Sequence, residues 1–150
     1  MDIPAKEAAH TYETLLAQGH YFIDGAEELL ETLYGQYRMY LVTNGTLSVQ
    51  KGRLKSSGIS RYFEDIFISE ELGYNKPGRE YFDCCFSRIP DFHKETAVII
   101  GDSLTSDIQG GINAGIRTIW FNPSHEKTSE IIPDHEFESL MKLPELLSHI

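Results

Sequence analysis

Three short stretches carry residue types that handle a phosphoryl group. Gly101-Asp102-Ser103 follows the apolar run Val98-Ile99-Ile100, and Asp107 lies five residues beyond Asp102. Thr43-Asn44-Gly45 closes a second apolar run, and Lys76-Pro77 leads into a helical stretch. A hydroxyl beside unsatisfied backbone N–H groups at a strand end holds phosphoryl oxygens. A lysine supplies positive charge to a crowded anionic site. Carboxylates bind Mg2+, which prefers hard oxygen ligands and usually keeps several waters. Together these are the positioning and charge-neutralising parts of a phosphoryl-transfer site. Each has a bland reading when taken singly: Thr-Asn-Gly is a common turn, Lys-Pro is commonly surface, and Asp107 could merely complement a helix dipole. The weight comes from their order, spacing and strand-end placement together.

The elements that must position these residues alternate along the chain. Ala8, Ala9, Tyr12, Leu15 and Leu16 recur at helical spacing over residues 1–18, and Gly19 ends that pattern. Asp24 caps a second helix from Gly25 to about Tyr34, with Ala26, Leu29, Leu30 and Leu33 on one face. Arg38 to Thr43 reads as a strand, and a helix follows through about Ser57, ended by Gly58. Phe63 and Ile66-Phe67-Ile68 give the next strand signal. A helix over 79–89 buries Tyr81, Phe82, Cys85 and Phe86. Thr96–Ile100 is a strand, and the helix after it starts at about Thr105 and stops at Gly115. Arg117–Phe121 is another strand, 124–133 a loop, His135–Phe137 a short last strand and Leu140–Ile150 a terminal helix. Strands alternating with helices of about ten residues predict an α/β fold, a Rossmann-like parallel sheet with helices on both faces in three layers. Ligands of such folds sit at the carboxyl ends of the strands, where Thr43, Lys76 and Asp102 fall.

Composition narrows the function classes. The formal net charge of -10 and a pI near 5.0 argue against a nucleic acid polymer as partner. A small phosphorylated substrate stays compatible. The only cysteines, Cys84 and Cys85, are adjacent and offer no disulfide framework. No transmembrane run and no signal peptide is expected, which points to the cytoplasm and away from a membrane partner. The six histidines show no metal-ligand spacing and read as surface residues. Trp120 reads as core or rim packing, and residues 126–130 could border a substrate, although no motif there supports it.

With these motifs in place, the chain resembles the haloacid dehalogenase (HAD) superfamily of phosphohydrolases, in its nucleotidase-like and phosphoglycolate-phosphatase-like branch. Leu41-Val42-Thr43-Asn44-Gly45 is similar to that family's second motif, and Lys76-Pro77 with Tyr81-Phe82 to the third. Gly101-Asp102-Ser103-Leu104-Thr105-Ser106-Asp107-Ile108, continued by Gly111, Ala114 and Gly115, is similar to the fourth. The resemblance implies Mg2+-dependent hydrolysis of small phosphomonoesters, nucleoside monophosphates among them, through an aspartyl-phosphate. It implies that Thr43 binds the phosphoryl group with help from the Asn44 and Gly45 backbone. Lys76 would offset charge, Asp102 would ligand Mg2+, and Asp107 would orient Lys76 or the metal's water.

The departure from the pattern is as informative. The family opens with a strand ending in Asp-x-Asp-x-Thr, whose first Asp is the nucleophile. No Asp-x-Asp occurs anywhere in these 150 residues. By the resemblance, residues 1–19 correspond to the last helix of a helical cap and 20–150 to the α/β core, without its first, central strand. The strands ending at Thr43 and Gly101 then close onto each other, receive a segment from another chain (a homodimer by strand or helix exchange included), or leave the fold disturbed. Chemically, the expectation is a chain inactive by itself with weak or absent Mg2+ binding. The alternative is a non-catalytic phosphate- or protein-binding module built on the same core.

Overall fold

The computed structural model describes residues 26–45, 58–128 and 130–150. The expected helix over 1–18, the cap boundary at 19/20 and most of the helix expected before Ser57 lie outside them.

Helix α1 (Ala26–Leu33) buries Leu29, Leu30 and Leu33 and turns Glu27, Glu28 and Glu31 outward, the one-sided pattern of a helix covering a core. Strand β1 (Tyr40–Thr43) is buried at all four positions, as is β3 (Val98–Gly101). Such strands, covered on both faces, read as unbroken apolar runs. Strand β2 (Asp65–Ile68) pairs parallel with β1, and β4 (Arg117–Phe121) pairs parallel with both β3 and β5 (His135–Phe137). Phe63, expected in the second strand, instead sits buried after the 3-10 turn Ile59–Tyr62. The remaining helices are α2 (Ser69–Leu72), α3 (Arg79–Ser87), α4 (Gln109–Ala114) and α5 (Leu143–Ser148). Helices α3 and α4 pack on each other, as do α1 and α5.

The parallel strands form two sheets, β1-β2 and β3-β4-β5. Of the three outcomes expected for the strands ending at Thr43 and Gly101, closure onto each other does not occur among the described residues: β1 and β3 are not paired in either sheet. Side-chain packing holds the halves in place. Phe82 of α3 lies so close to Gly110 of α4 that an added Cβ would stand 2.6 Å from Cε2 of its ring. At Gly111 a Cβ would stand 2.6 Å from methyl carbons of both Ile99 and Thr118. Two glycines weaken an isolated helix; here they let α4 approach the sheet and α3 at once.

The helix expected from Thr105 is wound differently at its start. Leu104–Ile108 forms a π-type turn before α4 begins. Ile108 N–H donates to the Ser103 carbonyl at 3.2 Å, five residues back. Such insertions concentrate at functional sites, and this one carries Asp107. No helix among the described residues is long and apolar enough to cross a membrane.

Candidate active site

Thr43, Lys76, Asp102 and Asp107 come from three separate loops at the carboxyl ends of β1 and β3. Thr43 ends β1 and is fully buried. Its hydroxyl accepts the Gly45 N–H at 3.1 Å, which folds the Thr43-Asn44-Gly45 turn back on the strand end. Its own N–H donates to the Tyr81 hydroxyl at 3.0 Å. That hydroxyl donates to the Phe67 carbonyl at 2.5 Å, so one side chain from α3 spans the ends of β1 and β2.

Asn44 serves the site through its side chain as well as its backbone. Its Oδ1 accepts Lys76 N–H at 2.8 Å and its Nδ2 donates to the Lys76 carbonyl at 3.0 Å. This two-point amide clip fixes the Lys76 loop against the β1 turn. A second clip comes from α4, where Asn113 Nδ2 donates to the Pro77 carbonyl at 3.0 Å.

Lys76 then reaches inward. Its Nζ lies 2.7 Å from Asp107 Oδ1 and 3.3 Å from the Val42 carbonyl oxygen, and neither charged side chain has any exposure (0% each). The pair joins the β1-β2 half to the β3-β4-β5 half. Asp107 Oδ2 also accepts the Ser103 N–H at 3.2 Å, and Ser103 Oγ caps the turn by accepting the Ser106 N–H at 3.2 Å. Gly101 makes this geometry possible, because a Cβ there would overlap the Asp107 carboxylate. A buried ion pair is a poor way to gain stability, since desolvation cancels most of its attraction. Buried charges gathered at strand ends are the pattern of a functional site.

Asp102 is half-buried beside this pair, and its carbonyl accepts the Trp120 indole N–H at 3.0 Å. A magnesium ion takes oxygen ligands, commonly one or two carboxylates with waters and phosphate. Asp107 is engaged by Lys76 and Ser103, and Asp102 is a carboxylate of the type a magnesium ion takes. No cluster of three metal-binding side chains occurs among the described residues. The described residues alone therefore fit a magnesium site only in part, and no chemical step is routed through one.

All six site residues anticipated from sequence, Thr43, Asn44, Gly45, Lys76, Asp102 and Asp107, are described, and those of the β1 turn are linked to the Lys76–Asp107 pair by the contacts above. The structure adds Tyr81, Asn113 and Trp120. Tyr81 reads as a core position by its helical spacing. The available signal is that a buried tyrosine needs a hydroxyl partner, unlike a phenylalanine. Of the histidines, His93, His125 and His149 are exposed and His135 half-exposed, while His10 and His20 lie outside the described residues.

A family model for haloacid dehalogenase-like hydrolases matches residues 3–121. The chain belongs to the haloacid dehalogenase-like hydrolases. It is 46% identical over 138 residues to the HAD-hydrolase YfnB of Bacillus subtilis (strain 168), covering 91% of this chain and 59% of that protein. It is 43% identical over 141 residues to the pyrimidine 5'-nucleotidase PynA of Streptococcus pneumoniae, covering 93% of this chain and 60% of that one. The crystal structure of YfnB bound to magnesium superposes with a TM-score of 0.84 at 47% identity, over 91% of this chain and 60% of that chain. The chain thus spans about 60% of the length of these relatives. By family it is of the hydrolase class, with phosphatases among its relatives, and its parallel α/β architecture is that of its structural neighbours.

Proposed function

We propose that this chain is the phosphate-positioning core of a Mg2+-dependent phosphatase for small phosphomonoesters, with nucleoside monophosphates as the favoured class. Residues 20–150 correspond to that core, and residues 1–19 to the last helix of a helical cap. The observation that carries the reading is the fully buried Lys76–Asp107 pair, held between two strand ends beside the Thr43 turn. In this role the Thr43 hydroxyl and the Asn44 and Gly45 backbone hold the phosphoryl oxygens. Lys76 offsets their charge, and Asp107 fixes the ammonium in position. Asp102 contributes one carboxylate to magnesium, which when bound neutralises charge on the phosphoryl group. The 46% identity to YfnB, the likeness to its magnesium-bound crystal structure and the 43% identity to a pyrimidine 5'-nucleotidase support the class.

The chain has no Asp-x-Asp to supply an acylphosphate nucleophile, so it binds phosphate without turning over an ester. Purified chain with Mg2+ and p-nitrophenyl phosphate is expected to show no release of nitrophenol. Inorganic phosphate is expected to shift the Thr43 and Gly45 amide resonances, and Thr43→Val to weaken that binding by about tenfold, the worth of one charge-assisted hydrogen bond. Magnesium-dependent turnover that disappears in Lys76→Ala would overturn the inactivity. Unmoved amides at saturating phosphate would overturn the reading itself. The unjoined β1 and β3 motivate a further element, a homodimer through strand or helix exchange, and a monomeric mass at micromolar concentration would exclude it.

A further inference from the structure

The connection from β4 to β5 borders an open pocket of about 560 Å³ that no motif marks. It is built rather than slack. At one end Asn122, 6% exposed, donates to the Glu126 carbonyl at 2.9 Å and to Glu136 Oε2 at 3.2 Å, while its Oδ1 accepts the Glu126 N–H at 3.0 Å. At the other end the Asp134 carboxylate accepts both the N–H and the hydroxyl of Thr118, at 2.8 and 3.2 Å. Between them His125 is held at φ 54°, in the left-handed region that a residue with a Cβ adopts only under local constraint. The cavity therefore exists before any ligand arrives.

Its position ties it to the site. Trp120 lies in its wall, and the same indole donates its N–H to the Asp102 carbonyl. Trp120 pairs with Gly101 across the β3-β4 ladder, and neighbouring strands stand only about 4.8 Å apart. A group esterified to a phosphate at the Thr43 turn and the Asp102 loop would extend toward this wall. The wall's charge sets what it accepts. Three carboxylates, Glu126, Asp134 and Glu136, line it with a single lysine, Lys127, and His125 and His135 add hydrogen-bonding rings. An anionic group is repelled there. A neutral one with both donors and acceptors finds partners for each.

We propose that this cavity is a subsite for the uncharged, hydrogen-bonding organic half of the phosphoester, and that it selects against esters of acidic alcohols. The proposal rests on the phosphatase reading above and assigns part of the substrate choice to the core itself. Trp120 is the only tryptophan in the chain, so its fluorescence reports on this wall alone. Uridine, N-acetylneuraminate and inorganic phosphate serve as neutral, acidic and phosphate-only probes for the full chain. Uridine is expected to change Trp120 emission saturably, and N-acetylneuraminate to bind about tenfold more weakly or not at all. Glu126 joins the Asn122 clip through its backbone while its side chain is exposed, so Glu126→Lys reverses wall charge with the fold intact. It is expected to shrink the preference for uridine about fivefold. An unchanged preference in that variant, or no saturable response to uridine, overturns the subsite. Phosphate shifts at Thr43 and Gly45 without a uridine response overturn the subsite and leave the phosphatase reading standing. A uridine response without phosphate shifts overturns the phosphatase reading instead, and with it the assignment of the cavity to an ester.

Discussion

Two ion pairs in this molecule have the same chemistry and opposite surroundings. Lys76 and Asp107 stand 2.7 Å apart with both side chains wholly buried. Arg61 and Glu31 stand 3.4 Å apart with their side chains 62% and 59% exposed. The exposed pair belongs to a surface cluster, where the Tyr62 hydroxyl also bonds Glu31 and the Arg61 guanidinium lies over the Tyr62 ring. Water screens such a pair, which adds little to stability. The buried pair cannot be screened, so each member is indispensable to the other without making the fold much more stable than an apolar pair would. One arrangement decorates a surface. The other is kept for its position between strand ends.

The sharpest way to break the comparison is to remove one buried partner. Lys76→Met leaves Asp107 charged and uncompensated, and is expected to cost about 3–5 kcal/mol in urea unfolding. The double variant Lys76→Met/Asp107→Leu should regain most of that loss while phosphate binding stays absent, because an apolar replacement removes both desolvation costs. Recovery of phosphate binding in the double variant would contradict the functional role. Next in size is Gly101→Ala, whose new methyl overlaps the Asp107 carboxylate. It should cost about 1–3 kcal/mol by overpacking and weaken phosphate binding together with stability. Tyr81→Phe removes the hydroxyl that joins the Thr43 N–H to the Phe67 carbonyl. A loss of about 1–2 kcal/mol is expected, with the Thr43 amide resonance shifted and the Lys142 side of the molecule unmoved.

The exposed pair should give the smallest effects. Arg61→Ala is expected to leave the urea midpoint within the scatter of repeat measurements. A pH signature remains. The Tyr62 hydroxyl chiefly, and Arg61 secondarily, hold the Glu31 carboxyl below the ordinary glutamate range. A depressed carboxyl contributes stability above its unfolded pKa and loses it as pH falls through the folded one. Melting temperature followed downward from neutral pH through the glutamate range should therefore fall slightly less steeply in Tyr62→Phe than in the parent chain. Identical slopes would show that the contact adds nothing even there.

Much of this architecture is legible in the sequence, for stated reasons. Strands β1 and β3 are covered on both faces, so Tyr40-Leu41-Val42 and Val98-Ile99-Ile100 stand out as apolar runs. The chemistry-bearing residues follow those runs directly, so the candidate site can be named from the sequence. What stays hidden is whatever acts through geometry. A π-type turn at Leu104–Ile108 has no compositional mark, because the sequence suits an α-helix equally well. Tyr81 satisfies a helical core pattern whether or not its hydroxyl works. Asn44 reads as a turn residue, and only the loop's approach reveals that its amide grips Lys76. The cavity after β4 depends on Asn122 and Asp134 meeting partners that lie 4 to 16 residues away, contacts no local pattern encodes.

The division of the strands into two sheets also bears on how the molecule breathes. Within each half, strands share backbone bonds and should open together. Across the boundary, Asn113 on the Pro77 carbonyl, Phe82 against Gly110 and the Lys76–Asp107 contact couple the halves through side chains. Native-state hydrogen exchange should then resolve two protection levels, one for β1-β2 amides and one for β3-β4-β5 amides. A ligand that grips Thr43 and Ser103 at once would merge them into a single cooperative unit.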